Sequence, residues 1–504
     1  MLIELDRTST VPLYRQIAEQ LRARISSGEL LPGTRLPPER RLAAVLGVNR
    51  TTVVNAYREL AADGLIVGHV GRGTIVADPS RLYEPRTPAS GIPWPQLFTP
   101  ATEVMNDPLL QDTMLVSSRP DVITFASGMP APELYPIATM RQLLDEALHQ
   151  AGQSLLQYCP AEGYPPLREA LAGWIANSGM RFSPDEVLVV AGSQQGLYLL
   201  ARALLEPGDV VAVESPTYLG ALQVFRAVGA RLLPIPVDQY GMRVGLLEDV
   251  VARRRPKLIY TLPTFQNPTG TTMSRDRRER LLALAARYQV PIIEDDPYGA
   301  LRYTGEVIPP LAALDQHGMV IYLSTVSKIL FPGFRIGWIA GPRPVIERLA
   351  TLKQIVDLDT NTLVQWAVWA FITRGLLDAH LERLRRHYPE RLERMLAALE
   401  RYATGRLEWT RPTGGFYVWC RLADGLRARD LLPEAARRGV AFAPGESFHP
   451  DGTGASTLRL NFTFPPVTAI EPGIARLAEA VQALRSTRLN GDGGRRARVV
   501  APIV

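Results

Sequence analysis

The N-terminal part of the chain places apolar side chains at the spacing of amphipathic helices. An apolar residue recurs at every fourth position from Leu13 to Ile25, so one face of a first helix is apolar. A second helix is predicted between Pro38 and Gly47, because proline suits a helix start and glycine a helix end. A third begins after Asn49, whose side chain suits an N-cap. The pattern therefore predicts three short helices in succession.

Two short strands are predicted after these helices. The apolar runs Leu65–Val67 and Thr74–Val76 flank a turn that contains Gly71, Arg72 and Gly73. Two helices joined by a short turn and followed by a hairpin are the outline of a winged helix-turn-helix. In that fold the N-terminus of the last helix and the tip of the hairpin face nucleic acid, where arginine and backbone donors reach phosphates and base edges.

From residue 113 to residue 486 the pattern changes to short, fully apolar runs separated by helical stretches. Such runs are typical of parallel strands that are buried on both faces, which predicts an α/β domain. Ligands of these folds bind at the carboxyl ends of the strands. The predicted strands are Val187–Ala191, Val210–Val213, Leu258–Tyr260, Pro291–Ile293 and Val320–Leu323.

Proline marks the boundary between the two patterns. Six prolines lie between Pro79 and Pro100, which removes backbone donors and favours an extended, semi-rigid linker. The end of the chain is rich in glycine and arginine and is expected to be disordered. The predicted organisation is a DNA-binding domain over residues 1–78, a linker over 79–112, the α/β domain over 113–486 and a disordered tail over 487–504.

Composition argues against several classes of protein. The formal charge is +6, so nucleic-acid binding would depend on where the arginines lie and not on bulk charge. Cys159 and Cys420 lack C-x-x-C spacing and no two histidines are four residues apart, so no metal site is expected. No run of 18 apolar residues exists, and Glu4 and Asp6 interrupt the start of any signal peptide. We expect a soluble, cytoplasmic protein that binds no membrane.

Lysine is rare in this arginine-rich chain, and Lys257, Lys328 and Lys353 are the only three. Because arginine cannot form an imine, any Schiff-base chemistry depends on one of them. Lys328 follows the last predicted strand, inside a polar cluster. Lys257 precedes a strand and Lys353 lies in a predicted helix, positions that are typical of a solvated surface. Lys328 is therefore the candidate.

The residue types that follow the predicted strands suit pyridoxal 5′-phosphate. A lysine can form an imine with its aldehyde, and an aspartate can keep its pyridine nitrogen protonated. Arginine, hydroxyls and a helix N-terminus can hold its phosphate, while tyrosine and asparagine can donate to its ring oxygen. The segments that supply these residues are Gly192–Gly196, Glu214–Tyr218, Pro263–Gly270, Glu294–Tyr298 and Ser324–Arg335.

The N-terminal domain resembles the GntR-type DNA-binding domain. The motifs that carry the resemblance are Leu36–Ala43, Leu46–Val53 and Gly71–Thr74. Val54 differs from the arginine that several family members have at this position. By this resemblance the residues that contact DNA are Arg40, Arg50 and Thr51, with Gly71 and Arg72 in the wing.

The α/β domain resembles the class I aminotransferases of fold type I, which bind pyridoxal phosphate on a mainly parallel sheet. The resemblance implies three catalytic residues. Lys328 is the Schiff-base lysine, Asp295 pairs with the pyridine nitrogen, and Tyr298 acts at the ring oxygen together with Asn267.

The same resemblance implies contacts around the rest of the cofactor and the substrate. Tyr218 would stack on the ring, and Arg459 would hold the α-carboxylate of a substrate bidentately. Tyr158 would reach the phosphate of the neighbouring subunit. The phosphate contacts within the chain would come from Ser193, Gln194, Thr325 and Arg335.

Together the two halves resemble the MocR subfamily of bacterial regulators, which implies a homodimer that binds double-stranded operator DNA. Our main hypothesis is a transcriptional regulator that senses an amino-acid-like amine by aldimine exchange at Lys328. The alternative is an active aminotransferase, converting an amino acid to a 2-oxo acid, whose DNA-binding domain is secondary. The predicted catalytic set is complete, so the sequence leaves turnover open.

Overall fold

The structure, a computed structural model, describes residues 3–7, 9, 11–69, 73–77, 97–99 and 108–491. The chain divides into two units, Met1–Phe98 and Thr99–Val504. The elements of the first unit are α1 (Leu13–Ser26), α2 (Glu39–Leu46), α3 (Arg50–Ala62), β1 (Ile66–His69) and β2 (Gly73–Val76).

The first unit is a winged helix-turn-helix, as predicted. Gly47 has φ 63°, a left-handed conformation that ends α2 and allows the chain to turn within two residues. The Asn49 side chain then accepts a hydrogen bond from the Thr51 N–H and caps α3. β1 and β2 pair antiparallel, and the Leu36 N–H donates to the Thr74 carbonyl, which adds a third extended segment to the hairpin. One apolar core joins the three helices to the hairpin.

The second unit is an α/β domain with a smaller second sheet. Its strands are β3 (Ile123–Thr124), β4 (Val187–Val190), β5 (Val210–Ser215), β6 (Arg231–Asp238), β7 (Gly241–Met242), β8 (Leu258–Thr261), β9 (Ile292–Asp295), β10 (Val320–Thr325), β11 (Gly337–Ala340), β12 (Leu407–Trp409), β13 (Tyr417–Leu422), β14 (Val440–Ala441), β15 (Ala443–Pro444) and β16 (Thr457–Asn461). Its helices are α4 (Pro108–Ser117), α5 (Ile137–Leu155), α6 (Pro165–Ala176), α7 (Ser193–Leu204), α8 (Leu219–Ala227), α9 (Val244–Arg254), α10 (Arg275–Tyr288), α11 (Leu311–Leu314), α12 (Arg343–Asp357), α13 (Thr362–Thr373), α14 (Leu376–Ala403), α15 (Ala428–Arg437) and α16 (Val467–Gly491).

The main sheet has the order β4-β11-β10-β9-β8-β5-β6-β7. Its central strands are parallel, while β11 runs antiparallel to both of its neighbours and β7 to β6. The four residues of each of β4, β8, β9 and β11 are all buried, because helices cover both faces. The carboxyl ends of β4, β5, β8, β9 and β10 therefore meet at one edge. The predicted fold class, a mainly parallel α/β sheet, is confirmed.

The second sheet has the order β12-β13-β16-β15 and is antiparallel. It packs with α14, α15 and α16 in the same apolar core as one face of the main sheet. Two helices extend past boundaries that the sequence suggested. α4 begins at Pro108, inside the stretch predicted as linker, and α16 continues to Gly491, inside the predicted tail. Most of the remaining predicted linker and tail lies outside the described residues.

Candidate functional site

A cavity of about 890 Å³ lies at the edge of the main sheet where the carboxyl ends of the parallel strands meet. The second sheet and α4 complete its wall. The predicted cofactor and substrate residues that line it are Ser193, Gln194, Tyr218, Asn267, Asp295, Tyr298, Thr325, Lys328, Arg335 and Arg459. The tertiary structure thus brings together side chains from five strand ends and from β16.

Lys328 ends a single helical turn, Val326–Lys328, that follows β10 directly. Its Nζ donates to the Gly128 carbonyl over 2.7 Å. Burial lowers the pKa of the Lys328 ammonium below its usual range, while the nearby Tyr417 opposes that shift. A lysine that loses its proton readily is a better nucleophile toward an aldehyde.

Asp295 is the last residue of β9 and only 2% exposed. The Tyr260 hydroxyl donates to its Oδ2 over 2.7 Å, whereas its Oδ1 is buried and has no partner among the described residues. Burial raises the pKa of the Asp295 carboxyl to about 7, against the opposing effect of the Tyr260 hydrogen bond. A buried oxygen without a donor is costly, and the protonated nitrogen of a pyridine ring would supply that donor.

Three side chains of the cavity lining are those predicted to contact the aromatic ring of the cofactor. The Tyr298 hydroxyl lies 3.0 Å from the Tyr417 hydroxyl. Arg459 donates to the Asn267 side-chain oxygen over 2.9 Å, so the amide nitrogen is the group that Asn267 can offer as a donor. The Tyr218 hydroxyl donates to Gln194 Oε1 over 3.0 Å, which orients the phenol at the cavity wall.

The phosphate end of the cavity is built from backbone and arginine. Ser193 starts α7 directly after Gly192, which has φ 83°. A Cβ on Gly337 would lie 2.8 Å from the Ser193 nitrogen, so only glycine allows β11 to approach this turn so closely. The Arg335 Nη2 donates to the Ala191 carbonyl over 3.2 Å at the same place. Free N–H groups at a helix start beside an arginine suit a phosphate dianion.

Arg459 lies on β16 and is 7% exposed. Its Nη2 donates to the Ala126 carbonyl over 2.7 Å, and its guanidinium lies 4.2 Å from the centre of the Tyr417 ring and 4.9 Å from that of Phe448. The Arg459 Nε is buried without a partner among the described residues. A carboxylate in the cavity would satisfy this donor and balance the buried charge.

Several residues of the site had no clear signal in the sequence. Tyr260 reaches Asp295 from the neighbouring strand, and Tyr417 of the second sheet lines the same cavity as Lys328. Both contacts join residues that are far apart in the chain, so no spacing could predict them. Ser327 accepts a hydrogen bond from Thr325 Oγ1 over 2.9 Å. This residue could have been predicted, because it directly precedes Lys328 in the sequence.

The structure corrects one expectation and leaves others unassigned. Lys353 was expected on a solvated surface, but its exposure is 0%, because the inner face of α12 packs on the main sheet. Lys257 is half exposed, as expected, and it pairs with Asp209. Tyr158 is 80% exposed and lies outside the cavity wall of its own chain. Gly71 and Arg72 lie outside the described residues.

The candidate DNA-reading surface is the N-terminal end of α3. Thr51 is exposed there, and Arg40 is exposed at the start of α2. Arg50 is half exposed, and its Nη2 lies 3.0 Å from Glu39 Oε2 at the start of α2. This pair joins the starts of α2 and α3, and in helix-turn-helix proteins the start of the second helix is the part that meets DNA.

The described residues contain neither a candidate metal site nor a candidate membrane span. No group of His, Cys, Asp or Glu side chains there could hold a metal ion. No helix in that part of the chain has the length and apolarity needed to span a bilayer.

Two family models match the chain. Residues 13–76 match the bacterial regulatory proteins of the gntR family, and residues 120–476 match the aminotransferases of class I and II. The chain is 44% identical to aromatic-amino-acid aminotransferase 1 of Thermococcus litoralis over 72% of its length and 88% of that protein. It resembles the crystal structure of LysN from Thermus thermophilus, complexed with N-(5′-phosphopyridoxyl)-L-leucine, with a TM-score of 0.74, 36% identity and coverage of 78% and 100%. Pyridoxal 5′-phosphate is the cofactor of this family, and the unpartnered Asp295 oxygen and the glycine-lined turn fit its ring nitrogen and its phosphate.

Several relatives span both units, including one named as a regulatory protein. The probable rhizopine catabolism regulatory protein MocR of Rhizobium meliloti is 34% identical over 96% of this chain and 97% of its own length. The order of the two domains, the winged helix followed by the aminotransferase fold, is therefore that of the relative. The chain belongs to the class I and II aminotransferase family and, with its N-terminal GntR domain, to the MocR subfamily of GntR-type transcriptional regulators.

Proposed function

We propose that this regulator senses an amino-acid-like amine in the cofactor cavity and changes its affinity for operator DNA in response. When bound, the cofactor supplies an aldehyde carbon, and the amino group of Lys328 and that of the sensed amine would bond to this carbon in turn. Arg459 would hold the carboxylate of the amine, and Asp295 would hold the ring nitrogen. The observation that carries the proposal is that all predicted cofactor and carboxylate ligands except Tyr158 line one cavity, in a chain that also has a winged helix-turn-helix.

The wall of the cavity offers a route by which binding of an amine could affect other parts of the chain. Leu110, Thr113, Met114 and Ser117 of α4 line the cavity. The Ser117 hydroxyl is buried without a partner among the described residues, so a polar ligand could bond to it. In the sequence α4 is the first described helix after the N-terminal unit. A ligand that favours one position of α4 would shift the equilibrium by its difference in affinity for the two positions.

The proposed assembly is a cytoplasmic homodimer on double-stranded DNA. A two-fold dimer presents two recognition helices to two half-sites, which is how helix-turn-helix proteins read palindromic operators. Tyr158 is strongly exposed in the single chain, next to the exposed Leu156. In the dimer we place Tyr158 at the phosphate of the neighbouring subunit.

The part played by α4 can be tested with full-length protein and each of the twenty L-amino acids. Binding of an amino acid is followed by the absorption of the cofactor, and the DNA Kd is measured on a fragment from upstream of the protein's own gene. We expect Met114→Ala to bring the ratio of DNA Kd values with and without the active amino acid toward 1, because Met114 lines the cavity. Leu115→Ala, an equally exposed neighbour outside the cavity wall, keeps the wild-type ratio.

The two possible negative results of this experiment lead to different conclusions. If no amino acid changes both the absorption and the DNA Kd of the wild-type protein, the sensing of a standard amino acid is wrong. If the wild-type protein responds and Met114→Ala responds fully as well, sensing stands and α4 is not its route.

The proposed DNA contacts have a simpler test. Replacing Arg40 with alanine removes one cation from the exposed start of α2, so the DNA Kd should rise about tenfold and the slope of log K against log salt should fall by about 1. Arg15→Ala, an exposed arginine of α1, is the matched control and should leave both unchanged. An unchanged salt slope in Arg40→Ala would show that Arg40 does not touch the DNA backbone.

A second candidate function is transamination at the same site. The complete set of Lys328, Asp295 and Arg459 in one cavity favours it, because these side chains are also what turnover requires. Release of a 2-oxo acid from an added amino acid measures this activity directly. Repeated turnover in the absence of any effect on DNA binding would favour the enzyme over the regulator.

A further inference from the structure

We propose that Lys353, which lies outside the cavity, is a positioning residue for the phosphate end of the cofactor site. It is one of only three lysines in the chain, and its side chain is fully buried in α12. Burying a long, charged side chain is costly, so such a residue normally has a charged partner. Contacts of this partner connect Lys353 to the phosphate-binding turn.

The partner of Lys353 is Asp357, one helical turn further along α12. The Lys353 Nζ lies 3.2 Å from Asp357 Oδ1, which makes an ion pair whose geometry is not that of a hydrogen bond. Asp357 is the last residue of the helix, where the negative end of the helix dipole disfavours a carboxylate. The ammonium group therefore balances a negative charge that the helix end would otherwise disfavour.

Asp357 continues the connection to the start of α7. The Gln195 Nε2 donates to Asp357 Oδ2 over 2.6 Å. This bond fixes the orientation of the amide group, so that Gln195 Oε1 accepts the Ala191 N–H over 2.6 Å. Ala191 is the residue directly before the turn at Gly192 and Ser193.

The same residue is also held from its other side. The Ala191 carbonyl accepts a hydrogen bond from Arg335, the proposed phosphate ligand. The chain of contacts thus runs from Lys353 through Asp357 and Gln195 to Ala191, and meets Arg335 there. A turn that presents N–H groups to a phosphate works only when its backbone is fixed in advance.

Removing the lysine should weaken phosphate binding for two reasons. Asp357 would lose the cation that holds it toward Gln195, so the backbone at Ala191 would be less fixed. Its unbalanced negative charge would also lie near the site of a phosphate dianion, which it repels. Neither effect acts on the pyridine ring, which is held by Asp295 and Asn267 at the other end of the cavity.

The experiment compares two forms of the vitamin on cofactor-free, full-length protein: pyridoxal 5′-phosphate and pyridoxal, which lacks the phosphate. We expect Lys353→Met to raise the Kd of pyridoxal 5′-phosphate about tenfold, in line with other residues that orient a ligand through a second residue, and to leave the Kd of pyridoxal unchanged. Lys257→Met, which breaks a surface pair with Asp209, is the matched control and leaves both constants unchanged.

If Lys353→Met does not fold, two further variants can still disprove the proposal. Gln195→Met removes both hydrogen bonds of the amide and leaves the ion pair intact, and it should cause the same phosphate-specific loss. Adding Asp357→Asn to Lys353→Met removes the unbalanced charge and should restore most of the affinity. An equal loss of affinity for both ligands, or no loss in Gln195→Met, would overturn the proposal.

Discussion

Replacing Lys328 with alanine will abolish the visible absorption band of the lysine-bound cofactor and the amine-dependent change in DNA affinity. Lys328 is the one lysine in the cavity, and the other two lie in ion pairs elsewhere in the unit. Arginine cannot take over the bond to the aldehyde. The absorption spectrum of the purified variant and its DNA Kd with and without the active amino acid measure the two losses.

The variant is expected to fold normally. Burial lowers the pKa of Lys328, so the native structure disfavours the charged ammonium and gains little stability from it. Lys257→Ala, on the exposed surface, should keep both the band and the response. A Lys328→Ala protein with an unchanged spectrum would place the cofactor bond elsewhere. One that lacks the band but keeps a full response would show that sensing does not depend on displacing this lysine.

Replacing Asp295 with asparagine is expected to have two opposite effects, the loss of cofactor chemistry and a gain in stability of the cofactor-free protein. The neutral amide cannot keep the pyridine nitrogen protonated, so the rate at which an added amino acid changes the cofactor spectrum should fall about 100-fold or more. The Tyr260 hydroxyl can still donate to the amide oxygen, so the packing around the residue is preserved. Stopped-flow absorption measures the rate.

The gain in stability follows from the pKa of Asp295. Burial raises it from 3.8 to about 7 in the folded protein, so the folded state binds the proton more tightly than the unfolded state does. The ionised carboxylate therefore destabilises the cofactor-free protein, by up to about 4 kcal/mol once the pH is above 7. This penalty is absent below about pH 4, grows as the pH rises toward 7 and levels off above that pH.

Thermal unfolding of the cofactor-free protein tests this sign. Wild-type protein should unfold at a lower temperature at pH 8 than at pH 6, and Asp295→Asn should reduce that difference. It should not remove it, because Glu214 and Glu294 are buried carboxyls whose pKa values are also raised to about 7. Asp145→Asn, at an exposed carboxylate, is the control. If Asp295→Asn is no more stable than wild type at pH 8, the ionised Asp295 carboxylate does not destabilise the cofactor-free protein.

The fold of each unit was largely predictable because its signals are local. The apolar runs that become β8, β9 and β10 are short and are buried on both faces, which is typical of strands inside a parallel sheet. Parallel strands place their carboxyl ends on one edge, so the meeting of Asp295 with Lys328 followed from the order of the runs. The boundaries were less predictable, since α4 and α16 extend through packing that the local sequence does not reveal.

The sequence by itself determined the residue types, their order along the chain and therefore the chemistry that a strand edge could hold. It also determined the winged helix, because Gly47 and Asn49 govern its turn through backbone preferences of their own. Only the tertiary structure decided which side chains are buried and which atoms lack a partner. Tyr417 at the lysine, the unpartnered oxygen of Asp295 and the burial of Lys353 all depend on contacts between distant segments, and burial rather than residue type sets the cost of an unpaired charge.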